Sequence, residues 1–217
     1  MQAVAIGVGI FALAGGAGIA IGQGGGSTPP APTVAATAAD SLTNTTSPPS
    51  AVSGSQLDAV SLLGERPVQL EPKGTVIASP DMVSSRGVNL DLGHVVPTDV
   101  GPISVAPAAN DVVCYGSSSG GGCGSPDDIR SGSAIGVQLC NPYSPGIRAF
   151  GLVPDGATDA RALLQNGSSQ PLSITSNVVA AVLRGVPDGF EFTQGGKTVH
   201  WEIALPAGDA ERCIQGS

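Results

Sequence analysis

The residues of this 217-residue chain whose types and spacing could do chemistry are four cysteines, two histidines and a serine set among glycines. Cys114, Cys123, Cys140 and Cys213 form an even set in a part of the chain that reads as exported, and in an oxidising compartment such a set is a disulfide framework. Three pairings are open. We read Cys114 with Cys123, closing YGSSSGGGCG as a stapled hairpin, and Cys140 with Cys213, tying the C-terminal tail to a sheet. On the loop-entropy relation the short ring stabilises by about 2.7 kcal/mol and the long one by about 4.5 kcal/mol. Zinc is the rival use, but the chain has no CxxC pair and neither His94 nor His200 is near a cysteine in sequence, so no metal ligand is assigned.

Gly116-Ser117-Ser118-Ser119-Gly120 fits the G-x-S-x-G pattern, and Asp155 or Asp188 followed by His200 completes the hydrolase order of nucleophile, acid and base. A nucleophile elbow needs a helix directly after its serine. Gly120 to Gly124 is too glycine-rich to start one, so a serine hydrolase using Ser118 and His200 is the alternative and not the leading reading. Gly195-Gly196-Lys197-Thr198 ends like a phosphate-binding loop, but Glu191 stands where the first glycine is required and an alternating strand follows in place of a helix. His94, beside Asp91 and Asp99, has the chemistry of a general base, yet a lone histidine in a turn reads as a surface residue. Asp127, Asp128, Asp155 and Asp159 lack the alternating oxygen spacing of a calcium loop. No catalytic residue, cofactor site or metal site is assigned.

What positions these residues is a β-rich stretch from Ile147 to Arg184. Its Asp155-Gly156 and Asn166-Gly167 dipeptides tolerate positive φ and predict tight hairpins, the second pairing residues 160–165 with 170–176. Further apolar runs start at Ile103 (ISVAP), Asp111 (DVVCYG), Ala134 (AIGVQL) and Lys197 (KTVHWEIAL). In the last, Val199, Trp201 and Ile203 alternate with His200 and Glu202, which predicts a strand with the tryptophan facing inward. Short helices are predicted at Ser55-Gln56-Leu57-Asp58, at Ser79-Pro80-Asp81, where little more than one turn is expected before Gly87, and at Ser125-Pro126-Asp127-Asp128. The fold class is therefore mainly β, a small disulfide-stapled sandwich or open barrel.

Three segments follow from composition. Residues 1–22 contain AVAIGVGIFALAGGAGIAIG, uncharged and long enough to cross a bilayer as a helix, and read as a transmembrane signal anchor in preference to a cleaved signal peptide. Residues 23–56 are Gly, Ser, Thr, Pro and Ala with almost no charge, a disordered linker stiffened by proline. Residues 57–217 form the extracytoplasmic β-rich domain. Before Asp58 the only charged residue is Asp40, so all but one unit of the net charge of −8 belongs to this domain, and an acidic surface with only 9 Lys and Arg excludes a nucleic-acid partner.

VVCYGSSSGGGCGS, followed by FGLVPDGAT and SNVVAAVL, resembles a group of exported, membrane-anchored actinobacterial proteins of uncharacterised function, which carry a C…GC hairpin and a G-L-V-P-D-G turn. The resemblance covers about Leu57 to Leu205. It implies an anchored location and a C-terminal β-domain, and brings no catalytic residues with it. Cys140 and Cys213 are additions of this chain, as is the lack of basic residues ahead of the apolar segment. The expectation is a non-enzymatic, membrane-tethered module in the cell envelope that contacts a protein or a wall component. A carbohydrate-binding module is the other alternative, with Tyr115, Tyr143 and Trp201 as the aromatic side chains available for stacking.

Overall fold

The computed structural model describes residues 48–68, 70, 77, 80–140, 146–205, 208, 210 and 213. The predicted anchor and residues 23–47 of the predicted linker lie outside the described residues, and among the described ones no helix is long and apolar enough to cross a membrane.

The chain is mainly β, but it forms three antiparallel sheets of four strands and not the two layers of a sandwich. The first sheet runs β1 (His94–Val96), β2 (Ile103–Pro107), β3 (Val113–Ser117), β4 (Gly120–Gly124). The second has the order β5 (Ile135–Gln138), β6 (Ile147–Leu152), β10 (Val178–Leu183), β9 (Ser173–Thr175). The third has the order β12 (Lys197–Glu202), β11 (Pro187–Gln194), β7 (Thr158–Leu164), β8 (Ser169–Pro171). β1, β11 and β4 have weak strand signals: His94–Val96 is short, Pro187-Asp188-Gly189 has turn composition, and GGGCG lacks side chains to pack.

The layering follows from which faces are apolar. Alternate residues of β6 and β10 enter two different cores. Phe150, Leu152, Val178 and Ala180 join Val105, Val113, Tyr115 and Ile129 on the side of the first sheet. Ile147, Ala149, Val179 and Leu183 join Ala160, Ala162, Phe190 and Phe192 on the side of the third. Over residues 178–180 both faces of β10 are covered and alternation has no use, which is why SNVVAAVL reads as one apolar run, although Val182 near its end is exposed. A smaller third core, containing Leu70, Ile77, Val88, Ala106 and Cys114, covers the far face of the first sheet. β5 lies so close to β6 that a Cβ on Gly151 would sit 2.2 Å from the Ala134 carbonyl oxygen, so only glycine fits there.

Among the described residues, the short α-helices α1 (Gly54–Ala59), α2 (Pro80–Arg86) and α3 (Pro126–Ser131) join these layers. The capping box of α1 uses Ser53 with Gln56, two residues ahead of the predicted Ser55 with Asp58. Residues 48–56, linker by composition, are packed: Gln56 is buried with its side-chain amide donating to the carbonyls of Ala108 and Val112, and the Asn89 amide donates to the Pro49 carbonyl. Enrichment in Ser, Pro and Gly thus hid a folded entry segment. α2 stops before Gly87, which takes φ 59°, and at 7 residues it makes nearly two turns where little more than one is expected. α3 has the predicted Ser125 cap and Pro126 start, and ends on Gly132 at φ 84°.

The turns differ from expectation in an instructive way. Asp155-Gly156 does form a turn, closed by the Ala157 N–H donating to the Pro154 carbonyl, but it carries the chain from the second sheet to the third and is no hairpin. Asn166-Gly167 joins the paired strands β7 and β8, but the predicted partner segment 170–176 is split: residues 169–171 pair with β7, while Ser173–Thr175 form β9 and pair with β10 in the second sheet. Only Gly167 has positive φ, however, and the Leu164 N–H bonds the Ser168 carbonyl while the Gly167 N–H bonds the Leu164 carbonyl. That is a three-residue loop with glycine in the left-handed position, not the two-residue type I′ turn. The type I′ geometry falls instead on Ser176-Asn177, φ 44° and 66°, between β9 and β10, and on Gly195-Gly196, φ 55° and 75°, between β11 and β12.

Candidate functional site

Strand β12 is the most exposed strand of the fold, and its surroundings explain why. It pairs with β11 on one side only, from Gly189↔Glu202 to Gln194↔Lys197, and its backbone groups on the other side meet no described strand. Every other sheet edge is shorter: β1, β8 and β9 have 3 residues, β5 has 4 and β4 has 5, against 6 in β12. Trp201 lies opposite Phe190, whose ring is buried in the second core, so the predicted parity of the strand holds. Burial does not follow. α3 approaches this face, bringing Gly132 near the Cβ of Trp201 and the Val199 side chain, yet Trp201 stays 38% exposed, the correction being that an edge strand has no second described strand beside it to extend the cover. On the opposite face His200, Glu191 and Arg161 stand in one row, with Arg161 and Glu191 ion-paired and the His200 Nε2 3.8 Å from a Glu202 carboxylate oxygen.

The sequence-predicted residues are not gathered in one place. Ser118 occupies the two-residue tip between β3 and β4, in register Ser117↔Gly120, so strand follows the serine where an elbow needs helix. His200 is on the third sheet, and Asp155 is already engaged: its carboxylate accepts from the Ser61 N–H, the Ser61 hydroxyl at 2.6 Å and the Asn177 amide at 2.7 Å. With the buried Asn177 also accepting from the Leu62 N–H, this cluster ties residues 61–62 to the turn after β6 and the turn before β10. The G-L-V-P-D-G turn is thus a fastening. Gly195-Gly196-Lys197-Thr198 is a hairpin turn leading into β12.

His94 is a second correction. It is only 4% exposed, opposite Val105 in β1, because it shares the inward face of that strand with buried Val96, and its Nε2 has no hydrogen-bond partner among the described residues. Burial lowers its pKa, opposed by the carboxylate of Glu65, and not by the predicted neighbours Asp91 or Asp99. The four acids considered for calcium are dispersed: Asp127 pairs with Arg130, Asp128 caps α3, Asp155 is tied to Asn177 and Asp159 accepts from Thr158. The Ser125 hydroxyl and N–H hold the Asp128 carboxyl below its usual range. Among the described residues no group of three or more His, Cys, Asp or Glu side chains is placed to hold a metal ion.

Both expected disulfides are present. Cys114 and Cys123 face each other directly across the β3–β4 ladder with Cα atoms 4.0 Å apart, and Cys140 is joined to Cys213 with Cα atoms 5.3 Å apart. Counting from Ser117↔Gly120, the closing pair of the hairpin, Cys114↔Cys123 falls on a non-hydrogen-bonded position, where strands approach most closely and a bridge spans directly. Two disulfides point to an oxidising, extracytoplasmic compartment. Of the three aromatic candidates for stacking on sugar, Tyr115 is 5% exposed with burial raising its pKa to about 12, Tyr143 is outside the described residues, and Trp201 alone is open. Set against known protein families, curated proteins and solved structures, the chain matches none.

Proposed function

We propose that this chain is a non-enzymatic, membrane-tethered module of the cell envelope that binds an extended segment of a partner protein along the open edge of β12. The observation that carries the reading is Trp201, the one tryptophan of the chain, exposed on the longest unpaired strand edge among the described residues. An open edge offers a row of backbone donors and acceptors to an incoming strand, and tryptophan is the side chain most often found to anchor such contacts. The apolar stretch at residues 3–22, the nearly uncharged linker and the two disulfides support the location. A photo-crosslinking amino acid placed at Thr198 of the full-length chain in its native cell is expected to give one discrete protein adduct, lost on Trp201→Ala, while the same probe at Ser131 gives none. A full-length fusion to alkaline phosphatase that is inactive and stays in the soluble fraction would overturn the location, and adducts equal at both positions would overturn the contact.

Carbohydrate binding is the second reading, favoured by the same exposed indole, which presents an apolar face of the kind that stacks on sugar rings. Titration with cell-wall polysaccharide separates the two: it quenches or shifts Trp201 fluorescence only if sugar is the ligand.

A further inference from the structure

Sheet edges that take no partner are usually blunted, by shortness, by proline, by a bulge or by a charged side chain pointing inward from mid-strand. β12 has none of these. Its ladder with β11 runs without a register shift from Gly189↔Glu202 to Gln194↔Lys197, it contains no proline, and its one lysine stands at the hairpin end. On the other side of β11 the pairing to β7 shifts twice.

The hairpin sets which backbone groups of β12 are open. In a two-residue turn the closing pair, here Gln194↔Lys197, is hydrogen-bonded, so Val199 and Trp201 also bond to β11. The Ile203 N–H, donating to the Asp188 carbonyl at 2.9 Å, continues the same alternation. The N–H and C=O groups of Thr198, His200 and Glu202 therefore point to the open side, where no described strand meets them.

That edge is complementary to itself. Two copies of β12 related by a two-fold axis run antiparallel, and with His200 opposite His200 of the second copy, Thr198 faces Glu202 of the second copy and Glu202 faces its Thr198. All three open residues of each strand are then bonded. A shift by two residues leaves one of them opposite the Gly195-Gly196 turn or past the end of the strand, and a shift by one sets open groups against groups already bonded to β11. In the same register each exposed Trp201 lies opposite Val199 of the other copy. These are non-hydrogen-bonded positions, where strands come closest, about 4.5 Å between Cα atoms, and where an aromatic and a β-branched side chain pack well. Charge agrees with this direction, because β12 begins on Lys197 and ends on Glu202, and antiparallel pairing brings the positive end of each strand beside the negative end of the other.

We infer that the occupant of the β12 edge is a second copy of this chain, docked antiparallel about a two-fold axis at His200. The inference rests on the reading of β12 as a docking edge and names its partner. Four strands from each copy become one continuous sheet of eight, and both indoles leave water. Confinement of both copies by the proposed membrane tether raises their effective concentration, which offsets the small area of a six-residue contact.

The test uses two differently tagged forms of the full-length chain in one native cell, one of them carrying a photo-crosslinking amino acid at Thr198. The expected adduct joins the two tags and maps to residues 201–203 of the second copy; the reciprocal probe at Glu202 maps to residues 197–199. Trp201→Lys should lower the Thr198 adduct at least about tenfold, and Thr198→Pro should lower the Glu202 adduct as much, with melting midpoints almost kept, because the Thr198 N–H serves no ladder bond within the chain. Trp201→Lys decides alone if Thr198→Pro does not fold. A Thr198 adduct with a different protein, lost on Trp201→Ala, would overturn the second copy and leave the docking edge standing. No adduct, or one equal to that from a probe at Ser131, would overturn both. Joined tags that map Thr198 to Thr198, or an undiminished adduct in a folded Trp201→Lys variant, would overturn the two-fold pairing.

Discussion

Strands β10 and β12 are both six residues long, both follow two-residue type I′ turns and both pair antiparallel to their neighbours, yet one is mostly buried, with only Val182 exposed, and the other is almost wholly exposed. β10 lies between β6 and β9 in the middle layer, so each of its faces meets a core. β12 ends the third sheet, and its inward face reaches past the layer that would cover it. Composition does not separate them as cleanly, because VHW in β12 is a good strand sequence too. Position in the strand order decides burial, and burial decides whether a large side chain holds the fold together or remains available to a partner.

The contrast can be broken most forcefully at Val179, fully buried in β10. Val179→Asp places a carboxylate in the second core without a counter-charge and should cost more than about 4 kcal/mol, enough to leave a domain of ordinary stability largely unfolded. Near-normal secretion and a cooperative melt for this variant would mean that the middle sheet is not wet-excluded on both faces.

A smaller effect is expected at the β7–β8 turn in the outer layer. Gly167 has φ 80° with nothing within 4 Å of a built Cβ, so the penalty of Gly167→Val is purely one of backbone strain, about 1 to 3 kcal/mol. Gly167→Asn should recover part of that loss, since asparagine tolerates the left-handed region. Equal melting midpoints for wild type and Gly167→Val would disprove the three-residue loop.

His94 gives the buried side of the comparison a pH signature. Its folded-state pKa is lowered by burial, so below the ordinary histidine value near 6.5 the unfolded chain binds a proton that the folded chain resists. Stability is therefore present above about pH 6.5 and is lost as pH falls toward the folded-state value. Denaturant midpoints measured from pH 7.5 to 5 should decline, and His94→Gln should flatten that decline; a slope the variant leaves intact belongs to other groups.

The smallest stability change is expected at Trp201. Trp201→Ala removes a side chain that is over a third exposed at a sheet edge, and should cost far less than the roughly 3 to 5 kcal/mol of a buried tryptophan, about 1 kcal/mol by melting. Its effect belongs to binding. Loss of the Thr198 crosslink at an almost unchanged melting temperature sharpens the distinction between β10 and β12, whereas a loss of several kcal/mol would make Trp201 a core residue after all.

Much of this was legible locally. The Ser125-Pro126 start of α3, the strand ISVAP at Ile103–Pro107 and the Pro80 start and Gly87 stop of α2 depend on neighbours within a few residues, where capping, fixed φ and alternation act. The pairing of Cys114 with Cys123 is also a local matter, because a nine-residue separation through a two-residue turn sets the two side chains opposite each other. Less legible was Asp155-Gly156, whose chemistry makes a turn without saying which sheet the next strand joins, and residues 48–56, whose polar composition conceals Gln56 bridging two buried carbonyls.

What the sequence determined by itself, then, is what short-range physics controls: the β-rich character, most strands and helix starts, where chain direction changes, and the parity that puts Trp201 on the face of Phe190. Only the tertiary structure decided that there are three sheets, that His94 is covered and Trp201 is not, and that the longest open edge belongs to β12 among the described strands. Backbone turns and alternation act over a few residues and are written in neighbouring letters. Burial and the meeting of distant side chains depend on which layer lies over which, and that is settled by the total apolar area the whole chain can remove from water.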